Sequence, residues 1–479
     1  MIIEKIQLQN YRNYEFSTVE FFDGINFIEG KNVQGKTNLL EAIFYCSIGK
    51  SLRASREKEV IKFDSDNAKI SLFLKKKYKK SQITIHFSKH TKKSIKINDI
   101  PIKKISELMG EFNAVYFSPD ELKLIKEKPD DRRRFMDIHN SQMSKKYFYL
   151  ISRYEKILAN RNKLLKSTAD KKAICETIEI WNAILADIGV KIILFRQRFL
   201  KKLTPYAEKV HSFLTAGKEN LELEYTGFKN LLKKAEVDEK VNKKSSGDKE
   251  NHDKENHDGE NHDGENNNKD IDIKKSIEEA ETNACEKIDI KKSIEINLNE
   301  NKNLNRAENL EKTEDLNENL EKKYDFETLK NYFLTALRNS FEKDLNLKYT
   351  TFGPHRDDIK VNVNGIDVRA YGSQGQQRTA ALSLKLAELE IMFLETKDRP
   401  VLLLDDVLSE LDAERRHRLL KFCSKTQTFI TGTEFPEGDE FNVYKVKNGT
   451  ISLVKKIQFR TSKNRFILQD IKSNKFIKN

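Results

Sequence analysis

Gly30-Lys31-Asn32-Val33-Gln34-Gly35-Lys36-Thr37 has the spacing of a phosphate-binding loop, G-x-x-x-x-G-K-[ST]. Its flanks fit. Gly24-Ile25-Asn26-Phe27-Ile28-Glu29 reads as a buried strand, and Asn38-Leu39-Leu40-Glu41-Ala42-Ile43-Phe44 as a helix. Glycines let backbone N–H groups curl around phosphate oxygens, and the helix N-terminus adds its positive dipole end. Residues Gly30 to Asn38 are therefore the expected nucleotide contacts. Lys36 is expected to reach the β and γ phosphates, and the Thr37 hydroxyl to ligate Mg²⁺.

A partner element lies far along the chain. Val401-Leu402-Leu403-Leu404-Asp405-Asp406 reads as a fully buried parallel strand with carboxylates at its C-terminal end, where α/β sheets bind ligands. Asp405 is expected to hold Mg²⁺ and Asp406 to polarise an attacking water. Around the first motif, residues 1–120 read as mainly strand. Ile3–Leu8, Lys69–Leu74, Ile83–Phe87 and Ile95–Ile97 alternate in the manner of an antiparallel meander. Residues 130–215 read as helices, with stripes through Ile151–Leu165 and Ile178–Phe199 and a turn at Ser167–Asp170. An antiparallel arm and two helices of a bundle fit this pattern equally.

The chain has 479 residues and a net charge of +13. Its mean hydropathy of −0.70 excludes a polytopic membrane protein. Four scattered cysteines, with no CxxC pair, fit a reducing cytoplasm. From Glu236 to Lys323 the composition turns to Glu, Asp, Asn and Lys with short repeats, which predicts a disordered insertion. His252, His257 and His262 recur there at a period of five, without the fixed backbone a metal site needs. That segment holds 16 basic and 26 acidic side chains, a net of −10, so the other 391 residues carry +23. A body this basic points to a polyanionic partner. Arg132, Arg133 and Arg134, and Lys76, Lys77, Lys79 and Lys80, are the candidate contacts.

Gly372-Ser373-Gln374-Gly375-Gln376-Gln377-Arg378 precedes a helix and resembles the signature of the ABC ATPases. Ser409-Glu410-Leu411-Asp412 resembles their D-loop. A helical region between the motifs resembles the arrangement of SMC-type DNA-repair ATPases. The resemblance narrows to the RecF family of bacterial recombination mediators on Tyr11-Arg12-Asn13-Tyr14, Phe117-Ser118-Pro119-Asp120-Glu121-Leu122, Pro129–Asp137, Gly353-Pro354-His355-Arg356-Asp357-Asp358, Ser373–Arg378 and Leu403–Asp412. It covers about 1–235 and 324–454.

The resemblance implies an α/β fold, a P-loop ABC-type ATPase head with a mixed sheet and an inserted helical arm; the disordered insertion, expected from composition, is not part of the family pattern. The expected parts are head 1–120, arm 121–235, insertion 236–323, head 324–454 and basic tail 455–479. It further implies an ATPase that dimerises on ATP, with Ser373 and Gln376 capping the partner's nucleotide and Arg12 touching phosphates. Gapped or junction DNA, work with RecO and RecR to load RecA, and roles in replication, repair and SOS induction follow from the same resemblance.

Two departures from the wider ABC pattern stand out. Gly432-Thr433 follows Phe429-Ile430-Thr431 where transporters carry a histidine, and Asp406 replaces a glutamate. Both predict slow hydrolysis, and no Q-loop glutamine can be assigned. The competing readings are an OLD-type nuclease, a transporter ATPase subunit and a structural DNA-binding protein with an idle site. The nuclease needs a carboxylate cluster after the head, where only Glu437, Asp439, Glu440 and Asp470 stand.

Overall fold

The computed structural model describes residues 1–167, 171–227, 326–434 and 441–456. Its centre is a six-stranded sheet of order β15-β14-β3-β13-β12-β8. These strands are β3 (Ile25–Glu29), β8 (Ala114–Phe117), β12 (Val401–Leu404), β13 (Thr428–Gly432), β14 (Asn442–Lys447) and β15 (Thr450–Lys455). The strands β14, β3, β13, β12 and β8 run parallel, and β15 closes one edge antiparallel. Their apolar runs are continuous because both faces are covered, and alternate side chains enter different cores. Phe27, Leu402, Leu404 and Ile430 enter one core; Ile28, Leu403, Phe429 and Tyr444 enter the other.

The second core lies under a second six-stranded sheet, β2-β1-β4-β5-β6-β7. It consists of β1 (Ile2–Tyr11), β2 (Tyr14–Glu20), β4 (Asn67–Lys75), β5 (Lys80–Ser88), β6 (Ser94–Ile97) and β7 (Ile100–Pro101), paired antiparallel throughout. Ile6, Leu8, Ile70, Leu72, Ile83 and Ile85 point inward onto the helix Lys36–Ile48, packed between this sheet and the central one. The expected meander is therefore present, and it roofs the phosphate loop's own helix.

The first core is filled by the helix Gln374–Thr396 and the C-terminal half of a 44-residue helix, Lys171–Leu214. At about 1.5 Å per residue that helix is roughly 66 Å long. Its N-terminal half packs on the helix Lys145–Leu165, and the helix Pro129–Met143 leads into this pair. So, among the described residues, 129–214 forms three long helices rather than two, and the longest is shared with the head. The turn expected at Ser167–Asp170 falls mostly outside the described residues, as do the insertion 236–323 with its three histidines, and all but the first residues of the tail.

The sequence assigns all of 324–454 to the head, but the structure packs 330–351 on the helical arm. Phe333 lies so close to Gly189 that a Cβ there would sit 2.6 Å from its ring. Arg161 and Asp344, both fully buried, pair at 2.8 Å, and Thr350 N–H donates to Asn162 Oδ1 at 2.8 Å. A third sheet, β11-β10-β9, joins β9 (Leu221–Thr226) to β10 (Asp358–Val363) and β11 (Ile366–Asp367).

Candidate active site

The phosphate loop leaves the C-terminal end of β3 and enters the helix Lys36–Ile48 through Gly35, whose φ of 113° requires glycine. A Cβ on Gly35 would also meet the Asn13 amide at 2.5 Å. The loop is preformed. Asn13 Nδ2 donates to Gln34 O at 2.8 Å, Tyr14 OH to Gly35 O at 2.8 Å, and Asn448 N–H to Gln34 Oε1 at 2.7 Å. Asn38 Nδ2 holds Asn13 Oδ1 at 2.9 Å. Lys31, Asn32 and Val33 are exposed at the loop's tip, and Gly30 is tucked against β14.

The Lys36 ammonium folds back onto the carbonyls of Gly30 and Lys31. Burial lowers its pKa from the ordinary lysine value, with Asp406 and Asp405 opposing that shift. Asp405, 5% exposed, is held by three hydroxyls. Thr37 Oγ1 donates to Oδ1 at 3.1 Å, Thr431 Oγ1 to Oδ1 at 2.6 Å, and Tyr116 OH to Oδ2 at 3.0 Å. Among the described residues no cation pairs with this carboxylate. These three donors are neutral, so the nearby Lys36 ammonium supplies the positive charge that faces Asp405. The donor set, one hydroxyl beside one carboxylate oxygen, suits a hard divalent cation such as Mg²⁺.

Asp406 adopts φ 53°, a left-handed conformation uncommon for a non-glycine residue and worth about 1 kcal/mol or more of strain. Two contacts enforce it: Asp406 N–H donates to Thr431 Oγ1 at 2.9 Å, and Ser409 Oγ donates to Asp406 O at 2.9 Å. Thr431 thus bridges both acids, immediately before Gly432-Thr433, where transporters carry a histidine. Tyr116 and Thr431 went unread in the sequence as site residues. Their only signal was position, each at or next to the C-terminal end of a strand flanking β12.

Ser373 caps the helix Gln374–Thr396. Its Oγ accepts from Gln376 N–H at 3.2 Å, and Gln376 Oε1 accepts from Ser373 N–H at 3.0 Å. Ser373 is exposed, and neither residue bonds to 30–38 among the described residues. The D-loop lies beside this helix: Arg378 pairs with Glu410 at 3.3 Å, and Asp412 caps the helix Ala413–Cys423. Arg12 is turned elsewhere, its Nε and one terminal nitrogen each 3.1 Å from the buried Glu41 carboxylate.

Two of the arginines expected to contact DNA are structural. Arg132, 3% exposed, forks onto Asp358 at 2.5 and 2.9 Å. Arg133 binds Asp357 O at 2.6 Å and pairs with Asp130. Lys76 and Lys79 share Glu111 at 2.7 and 3.6 Å, and Lys80 reaches Glu4 at 3.2 Å. Arg134 donates to Leu52 O at 3.3 Å, and the Lys77 ammonium lies over the Tyr78 ring.

Among the described residues no helix is long and apolar enough to cross a membrane, and no three His, Cys, Asp or Glu side chains cluster as a metal site. The late carboxylates of the nuclease reading lie outside the described residues.

A phosphate loop, an acidic strand end, a serine-capped signature helix and an intervening helical arm define a P-loop ATPase head of the SMC type. A family model described as RecF/RecN/SMC N terminal domain matches residues 2–434. The DNA replication and repair protein RecF of Alkaliphilus oremlandii (strain OhILAs) is 38% identical over 433 residues, 90% of this chain and 93% of that one. RecF of Clostridium novyi (strain NT) is 35% identical over 458 residues, covering 94% and 100%. A solved structure of the recombination mediator RecF with ATP, from the RecFOR pathway, superimposes with a TM-score of 0.69 at 31% identity, covering 95% of this chain and 97% of that chain. The chain belongs to the RecF family of DNA replication and repair proteins.

Proposed function

We propose that this protein is an ATP-switched DNA-binding mediator of recombinational repair in the cytoplasm. The observation that carries the nucleotide part is the three-hydroxyl clamp on the buried Asp405 beside Lys36 and Thr37. The loop 30–37 cradles the phosphates, and Lys36 exchanges its two carbonyl partners for phosphate oxygens. Mg²⁺, when bound, offsets phosphate charge. Thr37 and Asp405 hold its site, and Asp406 orients the attacking water. Asp406 is a short carboxylate fixed through its backbone, and no histidine joins it among the described residues, so turnover is slow and serves as a timer.

The exposed Ser373–Gln376 cap faces the nucleotide of a second copy, which makes ATP the glue of a dimer. The likeness to a RecF–ATP structure supports the nucleotide. The RecFOR name of that structure supports RecO and RecR as partners, with RecA loading downstream. The net +23 of the body supports DNA, and gapped or junction DNA with a role in SOS induction completes the reading.

The test is gel filtration of wild type and Lys36→Arg with ATP, ADP or neither, followed by binding to gapped DNA. Dimers with ATP alone, junction binding that follows them, and loss of both in the variant are expected. Monomers under every condition would sink the sandwich mechanism.

A further inference from the structure

The outward face of the antiparallel sheet carries lysines that form no ion pair among the described residues. Strand periodicity sends Ile6, Leu72 and Ile85 to the core and leaves Lys5, Lys69, His86 and Lys96 on the other side. The register gathers them: Lys69 stands opposite His86, Thr84 opposite Lys96, and Lys5 opposite Phe73, over whose ring its ammonium lies at 4.3 Å. Among the described residues none of these three lysines has an ion pair. The lysines at the β4–β5 turn behave differently, since Glu111 and Glu4 engage three of them. Burial and the neighbouring Lys69 and Lys96 ammonium groups hold His86 below its ordinary value, as expected where cations crowd without a counter-ion. Glu20 stands opposite Lys5 on the edge strand, and Glu4 is engaged by Lys80.

We propose that this sheet face binds the phosphate backbone of DNA. The inference rests on the DNA-binding reading above and says where on the chain it happens. The face is filled rather than hollow, since Ser71 and Thr84 between the lysines are buried under their neighbours, so it offers a small ligand no pocket. Strands about 4.8 Å apart and outward residues about 6.8 Å apart along each strand place Lys69 and Lys96 roughly 12 Å from each other. That separation suits a repeating polyanion and not a single phosphate. Phosphate contacts of this kind fix position without reading sequence.

The experiment measures binding of the full chain to fluorescein-labelled DNA, duplex with a single-stranded extension, by anisotropy across a salt series. Lys69→Gln/Lys96→Gln is expected to weaken binding roughly tenfold near physiological salt and to lower the log K against log salt slope by about 2. Binding of a fluorescent ATP analogue stays at the wild-type level. Lys76→Gln/Lys79→Gln, at the paired turn, is expected to keep the wild-type slope. Should the double variant misfold, Lys96→Gln alone is expected to lower the slope by about 1. An unchanged slope in the face variants, or a loss confined to the turn variant, overturns the assignment while leaving the DNA-binding reading in place. A wild-type chain that ignores DNA at low salt overturns both.

Discussion

Tyr116 and Thr431 decide how Asp405 is presented. Burial, with Asp405 adding to it, pushes the Tyr116 hydroxyl well above the ordinary tyrosine value, so at working pH it can only donate to the carboxylate. With Oδ2 held there and Oδ1 held by Thr431, the carboxylate cannot swing when Thr37 releases it to a cation. Tyr116→Phe and Thr431→Val should each weaken the Mg²⁺ dependence of fluorescent-ATP binding several-fold, as loss of one hydrogen bond to a charge of about 1–2 kcal/mol implies. Binding with EDTA should be unchanged, and Thr431→Ser should restore the wild-type titration. Superimposable Mg²⁺ titrations for all four proteins would refute this role. Gly30–Thr37 was legible in the sequence because its chemistry is local. Tyr116 was not, because its partner lies 289 residues away and only the strand order brings them together.

The short turn Pro354–Arg356 shows the same limit for an element. The sequence marks Gly353–Asp358 as distinctive without saying what it touches. Tyr154 OH meets His355 Nδ1 at 2.8 Å and Nε2 lies 3.1 Å from Thr350 O, so Nε2 carries the proton and Tyr154 donates to Nδ1. Arg196 donates to Pro354 O at 2.6 Å and forks onto Asp137 at 2.9 Å, and Tyr225 donates to Asp357. The turn thus locks the arm helices to the third sheet. The basic run Arg132–Arg134 looked like a DNA face in sequence because a solvated arginine and one serving this junction read alike.

Burial lowers His355 to about 4, so its contribution to stability is complete above about 6.5 and is lost as the pH falls through about 4. Asp357 runs the other way. Burial raises it to about 6, despite Tyr225 and Arg196, so its contribution is complete below about 3.8 and is lost as the pH rises through about 6. Urea unfolding of wild type and His355→Gln should therefore converge on acidification. The gap at pH 7 should narrow by about 3 kcal/mol at pH 4. Parallel curves would remove His355 from the acid response.

At the scale of the molecule, the net charge averages an acidic segment and a basic body, and the structure gives the body its own completeness. Among the described residues, both large apolar cores draw their buried members from 3–221 and 359–451. Deleting 236–323 should leave nucleotide binding within about twofold of wild type. It should also raise stability by about 2 kcal/mol, since the closing loop shrinks from roughly 100 to about 10 residues. A lower unfolding midpoint would mean that the segment is structural. The α/β class and the order of motifs were readable because each rests on short-range pattern. The docking of 330–351 on the arm was not, since amphipathic stripes do not name their partners.

Beside the ladder of β9 and β10, Tyr225 OH bonds Asp357, 132 positions downstream. On the ribosome, at roughly 5–20 residues per second, β9 waits about 7–26 s before its partner is synthesised. During that interval its edge is open to other strands, so the length of the intervening sequence sets a clock on the nascent chain. Slower elongation through 228–357 would then lower the yield of folded protein without altering a single contact in it.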